Sequence, residues 1–201
     1  MSVTILLIIC TVLISLVAFQ NEEVFEKLSF YPVSIFRNNE WQRMLSVGFV
    51  HNDISHLLFN MLTLYFFGTN VERYFAYLFE YGTIFYVGFY LVALVVSGIP
   101  DLIMNRSNFN YRAVGASGAV SSIVFASILF DPRATIYLQM FIPIPAILYA
   151  AAYLFYSFYM ARKGTDNIGH LTHFAGAIFG LIFPLILKPQ IFSHFISKLT
   201  E

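Results

Sequence analysis

The sequence predicts an all-α membrane protein, a bundle of six transmembrane helices with a long first loop. Three observations carry this. Of the 201 residues, 59% are hydrophobic and only 11% charged, against about 25% charged in ordinary soluble domains. Mean hydropathy is +0.74. The chain also falls into six apolar runs, most of them near the roughly 20 residues a bilayer core requires. Backbone groups in lipid must be satisfied within the spanning element, so one helical bundle follows, with no soluble domain, internal repeat or low-complexity tract.

Segment one, residues 3–19, is uncharged. It lacks a preceding basic region and a following small-residue cleavage site, so it reads as a retained span rather than a signal peptide. Residues 20–50 form a connector that mixes Glu22, Glu23, Glu26, Lys27, Arg37 and Arg43 with Phe25, Phe30, Tyr31, Phe36, Trp41 and Phe49. Such a mixture suits a segment lying in the bilayer interface, and loops this long are uncommon unless functional or disordered. Segment two, 54–67, is short and ends at Gly68. Segment three, 81–98, is stopped by Pro100, and segment four, 115–130, ends at Asp131-Pro132. Segment five, 134–159, carries Pro143 and Pro145, which should bend its first half. Segment six, 169–187, is stopped by Pro189.

Net charge is zero and no basic patch exists, which argues against nucleic acid as a partner. Cys10 is the single cysteine, so no intramolecular disulfide can form. The 23 Phe and 13 Tyr are read as helix-packing and interfacial residues.

Polar groups inside apolar runs default to a functional hypothesis, and three clusters stand out. Gly115-Ala116-Ser117-Gly118 opens segment four. A hydroxyl flanked by glycines can be approached closely by another backbone, as a nucleophile requires; small residues also serve simply to pack helices. His51, His56 and Asn60 open segment two, with His56 and Asn60 one turn apart on one face. Together they can donate to an oxygen bearing developing negative charge, although a pair of interhelical hydrogen bonds would use the same atoms. Segment six begins Gly169-His170-Leu171-Thr172-His173, and His173, Gly176 and Gly180 fall along one line of the helix. Gly176 and Gly180 form a small-xxx-small strip, matched on segment four by Gly115, Gly118, Ala119 and Ser122. Pressing the strips together brings His173 against Ser117. His170, a turn nearer the helix end, is read as a rim or otherwise satisfied group.

A serine beside a neutral histidine is the minimum for nucleophilic acyl transfer. No carboxylate is seen at a position to orient the ring, since Asp166 precedes segment six. The expectation is a dyad, with His56, Asn60 and the Ser117 backbone N–H as oxyanion donors. Metal binding by His51, His56, His170 and His173 ranks below this. The HxxH of segment six lacks the glutamate of a zinc hydrolase helix, and no cysteine or carboxylate completes a ligand set. Neither metal nor cofactor is expected.

With these residues assembled, the chain resembles a rhomboid intramembrane serine protease in its minimal six-helix form. The resemblance is carried by Trp41 and Arg43 in the first loop, His51, His56 and Asn60, Glu72 and Arg73, Gly115-x-Ser117-Gly118, and His173-xx-Gly176-xxx-Gly180. It implies Ser117 as nucleophile, His173 as general base, oxyanion support from His56 and Asn60, and a membrane-embedded first loop. It further implies a wet cavity opening to the outer side of a plasma or inner membrane. The substrates would be single-pass transmembrane proteins, cut where their helix unwinds, with water and the lipid bilayer as the other partners. A non-catalytic relative of the same fold, binding transmembrane helices for quality control, would be expected to lack the serine or the histidine, and both are present.

Two positions depart from the family pattern. Ser121 stands four residues after Ser117, where an aromatic side chain often stacks on the histidine, so Ser121 or a Tyr or Phe elsewhere must compensate. Gln42 separates Trp41 from Arg43, which are often adjacent. The implied topology, with both termini inside, puts Arg73, Arg133, Lys188 and Lys198 inside and Lys27, Arg37, Arg43, Arg106, Arg112, Arg162 and Lys163 outside. That runs against the usual Lys/Arg bias.

Overall fold

A computed structural model describes residues 2–138, 141–164 and 168–200. Helix α1 (Val3–Gln20) leads into a connector folded as α2 (Glu22–Leu28), α3 (Pro32–Asn38), α4 (Arg43–Ser46) and a 3-10 turn (Val47–Phe49). Next come α5 (Ile54–Thr63), a π turn (Leu64–Gly68), α6 (Thr69–Leu78), α7 (Gly82–Met104) and α8 (Ser117–Phe130). A hairpin of β1 (Thr135–Leu138) and β2 (Ile142–Pro145) precedes α9 (Ala146–Lys163), α10 (His170–Leu187) and α11 (Gln190–Thr200). Among the described residues, α1, α7 and α10 are each long and apolar enough to cross a membrane.

Helix α8 occupies the centre, touching α5, α6, α7, α9, α10 and α11. Every residue of α8 except Ser117 and Ser127 is buried. A helix apolar on all sides suits such a position, and its serines and glycines let the neighbours come close. Helix α1 turns a face of small residues, Thr4, Thr11, Ser15 and Ala18, inward. Glu72 on α6 accepts from the backbone N–H groups of Val3 (2.8 Å) and Thr4 (3.0 Å) and from the hydroxyls of Ser2 (2.5 Å) and Thr4 (2.7 Å). It thereby satisfies donors that the start of α1 leaves open.

Three expected boundaries are corrected. The second apolar helix does not end at Gly68: one π turn there carries it on to Leu78. Gly68 keeps helical dihedrals and serves close packing, because a Cβ would lie 2.8 Å from the Tyr86 hydroxyl and 2.9 Å from Thr4 Cγ2. Segment three does not stop at Pro100 either, for α7 runs to Met104. Proline removes one N–H, but its fixed φ is helical, and membrane helices tolerate it where neighbours satisfy the freed groups. The Asn105 N–H closes this last turn on the Asp101 carbonyl at 3.0 Å.

The helix expected over 134–159 is the third correction, since nearly its first half is taken up by the β hairpin. Thr135 pairs with Pro145, Ile136 with Ile144 and Tyr137 with Pro143. Ala146 N–H donates to Ala134 O at 2.8 Å. The hydrogen-bonded positions are therefore the even-numbered ones, and Pro143 and Pro145 direct their nitrogens away from the ladder. Prolines suit such an edge, whereas two of them would each remove a bond from a helix.

Candidate active site

The turn before α8 is built around Gly115, whose φ of +116° is a conformation side chains rarely adopt. There is no room for one either, since a Cβ would sit 2.6 Å from Cε1 of His56. Gly115 N–H donates to Val47 O at 3.0 Å, fastening the turn to the end of the long connector. The connector is also bridged to the same stretch by a reciprocal backbone pair, Phe30 N–H to Ala113 O (2.9 Å) and Ala113 N–H to Phe30 O (3.1 Å). His51 is fully buried behind the turn. Its Nε2 lies at a long 3.5 Å from Ala116 N, and its Nδ1 is 3.0 Å from Ser15 Oγ on α1. Ser117 is thus the first residue of a helix whose approach is held by α1 and by the connector. Its N–H is among those an α-helix start leaves without an intrahelical partner.

The glycine strip of α10 lies on the backbone of α8. A Cβ on Gly176 would come within 2.1 Å of Gly118 O, and one on Gly180 within 2.2 Å of Ser122 O. Ser122 Oγ adds a bond to Gly176 O at 2.8 Å. This contact brings His173 Nε2 to 2.7 Å from Ser117 Oγ. Both side chains are half-buried. His170 is buried, edge-to-face against Tyr156 at 5.5 Å between ring centres.

Ser117 and His173 open on a cavity of about 900 Å³, which His56, Asn60, Gly115 and Gly118 also line. Asp53 caps α5 by accepting from His56 N–H at 2.8 Å, and the His56 ring lies beside Gly115 and edge-on to His51, 5.0 Å away. Asn60 Nδ2 donates to His56 O at 3.0 Å; an amide carries two hydrogens, so one such bond does not exhaust it. Chemically, the wall combines a hydroxyl bonded to an imidazole with an amide, a second imidazole and a helix start.

A family model, Rhomboid domain, matches residues 38–190. The chain belongs to the rhomboid family. It is similar to RHOMBOID-like protein 12, mitochondrial, of Arabidopsis thaliana, with 32% identity over 71% of this chain and 45% of that protein. RHOMBOID-like protein 4 of the same plant is 33% identical over 78% of this chain and 37% of its own length. Rhomboid protease GluP of Bacillus subtilis (strain 168) is 29% identical over 73% and 26% respectively. The chain covers less than half the length of each of these relatives. A mostly helical architecture, three helices long and apolar enough to cross a membrane among the described residues, and family membership together make it a membrane rhomboid.

The two departures from the rhomboid pattern have local structural counterparts. Ser121 Oγ lies 2.8 Å from the hydroxyl of Tyr153 on α9, so an aromatic from a neighbouring helix stands at that wall of the cavity. Gln42 leaves Arg43 turned inward while Trp41 is 51% exposed. Arg43 Nη1 donates to the carbonyls of Glu26 (2.6 Å) and Ser29 (2.8 Å), and Nε bonds Glu40. That neighbouring guanidinium holds the Glu40 carboxyl below its ordinary range.

Asp166 lies outside the described residues. Asp101, only 8% exposed, is a buried carboxylate lining the same cavity, and the sequence reading did not single it out. Its Oδ2 accepts from Thr172 Oγ1 at 2.5 Å. The signal in the sequence was a lone acid directly after the proline thought to end segment three.

Proposed function

We propose that this rhomboid is an intramembrane serine endopeptidase that cleaves transmembrane segments of single-pass membrane proteins. The observation that carries this reading is the 2.7 Å hydrogen bond between Ser117 Oγ and His173 Nε2 at the wall of a cavity of about 900 Å³. Ser117 attacks the scissile carbonyl carbon as His173 Nε2 takes the hydroxyl proton. The tetrahedral oxyanion is met by the Ser117 N–H, the Asn60 amide and the His56 ring. Collapse breaks the C–N bond, and the histidine returns the proton to the departing amine, leaving an acyl-serine. A water then attacks this ester, giving its proton to the same nitrogen, and the new carboxylate leaves as Ser117 regains its hydrogen. Removing one oxyanion donor costs about 10²–10³ in turnover in other enzymes, so Asn60→Ala slows the reaction without ending it.

We read the chain as crossing the membrane six times, through α1, α5 with α6, α7, α8, α9 and α10. Helix α8 has 14 residues, which span about 21 Å, short of the roughly 30 Å hydrocarbon core. With Asp131 at one polar boundary, Ser117 sits below the opposite one, reached by water through the cavity. A substrate helix must unwind there, because its carbonyls are hydrogen-bonded and shielded while helical. The cavity opens to the outer side of a plasma or inner membrane in this reading, and the connector 20–50 is embedded in the interface.

The test is cleavage of a generic transmembrane reporter by purified wild type, Ser117→Ala, His173→Ala and His170→Ala. Activity in wild type and His170→Ala, with loss in the other two, is expected. Cleavage by Ser117→Ala, or loss in His170→Ala with activity in His173→Ala, overturns the assignment.

A further inference from the structure

We propose that Asp101 is a positioning residue for the imidazole of His173, acting through the hydroxyl of Thr172. The inference rests on the serine endopeptidase reading above. Asp101 is buried in the last turn of α7, at the edge of the cavity, where a carboxylate is costly unless hydrogen-bonded. It is bonded: Thr172 Oγ1 donates to Oδ2 at 2.5 Å, within the range of hydroxyl–carboxylate bonds, which are about twice as strong as neutral ones. Tyr111, from the turn that leads to Ser117, faces the same carboxylate. Burial, and then the charge and hydrogen bond of Asp101, push its phenol above the ordinary range, so it stays a donor.

Thr172 directly precedes His173, and its two branches do different work. Oγ1 holds Asp101, while Cγ2 presses on Gly118, the residue after the serine; a Cβ on Gly118 would lie 2.7 Å from that methyl and 2.3 Å from Ser97 Oγ. A β-branched side chain is stiff at χ1, so fixing one branch fixes the other. The carboxylate therefore sets the rotation of the first turn of α10 about α7 and α8. That turn carries the ring whose nitrogen must meet Ser117 Oγ. Asp101 bonds Thr172 and not the His173 ring, and α7 thus supplies through one hydroxyl the orienting acid that a dyad otherwise lacks. Displacements of about 1 Å far from the reacting atoms cost on the order of 10²-fold in rate.

The experiment measures kcat and KM on the transmembrane reporter, the rate of fluorophosphonate labelling of Ser117 and the unfolding midpoint. The proteins are wild type, Thr172→Val, Thr172→Ser, Asp101→Ala and the double variant Asp101→Ala/Thr172→Val. Valine keeps the methyl and loses the hydroxyl; serine does the reverse. Thr172→Val and Asp101→Ala should each lower kcat and labelling on the order of 10–100-fold, with KM within about twofold. Thr172→Ser should recover to within about threefold of wild type, and the double variant should be no slower than the worse single, as expected of groups acting as a unit. Wild-type kcat in Thr172→Val, a Thr172→Ser as slow as valine, or losses that multiply in the double variant overturn the proposal while the protease reading stands. A folded wild type that neither cleaves nor labels ends the protease reading, and this inference with it. Should Asp101→Ala fail to fold, the valine–serine contrast at Thr172 decides alone.

Discussion

Gly115 is where backbone conformation and chemistry meet most closely. Its φ of +116° and the 2.6 Å between a would-be Cβ and the His56 ring mean that Gly115→Ala strains the turn and displaces the candidate oxyanion imidazole at once. A strained backbone of this kind costs on the order of 1–3 kcal/mol, so the variant should unfold at lower temperature in a detergent melt and cleave the reporter far more slowly. Retained stability together with retained turnover would show that the turn does not need glycine. Ser117 and His173 were legible as a pair because helical spacing translates directly into a face, and glycines on that face announce where another backbone arrives. Asp101 was legible only as a lone acid after a proline, not as the partner of a hydroxyl on α10. Its partner Thr172 is 71 positions away, and nothing in the local pattern links a carboxylate after a proline to a threonine in the last spanning segment.

Between elements, the contact of α8 with α10 holds Ser117 and His173 together. Gly180 meets the Ser122 carbonyl, which is backbone and cannot swing aside. Gly180→Leu must therefore separate the helices and carry His173 away from Ser117. Overpacking of this kind costs about 1–3 kcal/mol or more, and the expected outcome is a lowered unfolding midpoint with cleavage lost; a variant that cleaves at the wild-type rate would show the strip to be dispensable. The apolar runs themselves were readable from hydropathy, but hydropathy does not say helix or strand. Thr135, Ile136, Ile142 and Ile144 are β-branched residues around two alternate prolines, a combination that suits an edge ladder better than the bent helix expected of it. The extension of α7 past Pro100 was hidden for a related reason. A proline forbids one hydrogen bond, and only the neighbours decide whether the helix goes on.

Across the whole molecule, the distribution of Lys and Arg bears on the proposed orientation. Most of the cations assigned to the outer side are engaged with protein. Arg112 lies over the Tyr31 ring at 3.1 Å and 3.5 Å from a Glu26 oxygen, Arg37 over Phe109 at 4.8 Å, and Arg162 over Phe158 at 4.5 Å. Arg43 is turned inward onto carbonyls and Glu40. The proposed orientation is checked with single thiols in a Cys10→Ser background: Ser107→Cys should react with an impermeant maleimide from the outer side of sealed cells, and Ser193→Cys only after permeabilisation, whereas the opposite pattern inverts the topology. Most directly, the proposed chemistry is tested by treating folded, purified protein with a fluorophosphonate and mapping the adduct by mass spectrometry. A single adduct on Ser117, absent in Ser117→Ala and strongly slowed in His173→Ala, is predicted. An unlabelled Ser117 in folded protein, or labelling that proceeds unchanged without the His173 ring, would show that the hydroxyl is not activated by its neighbour.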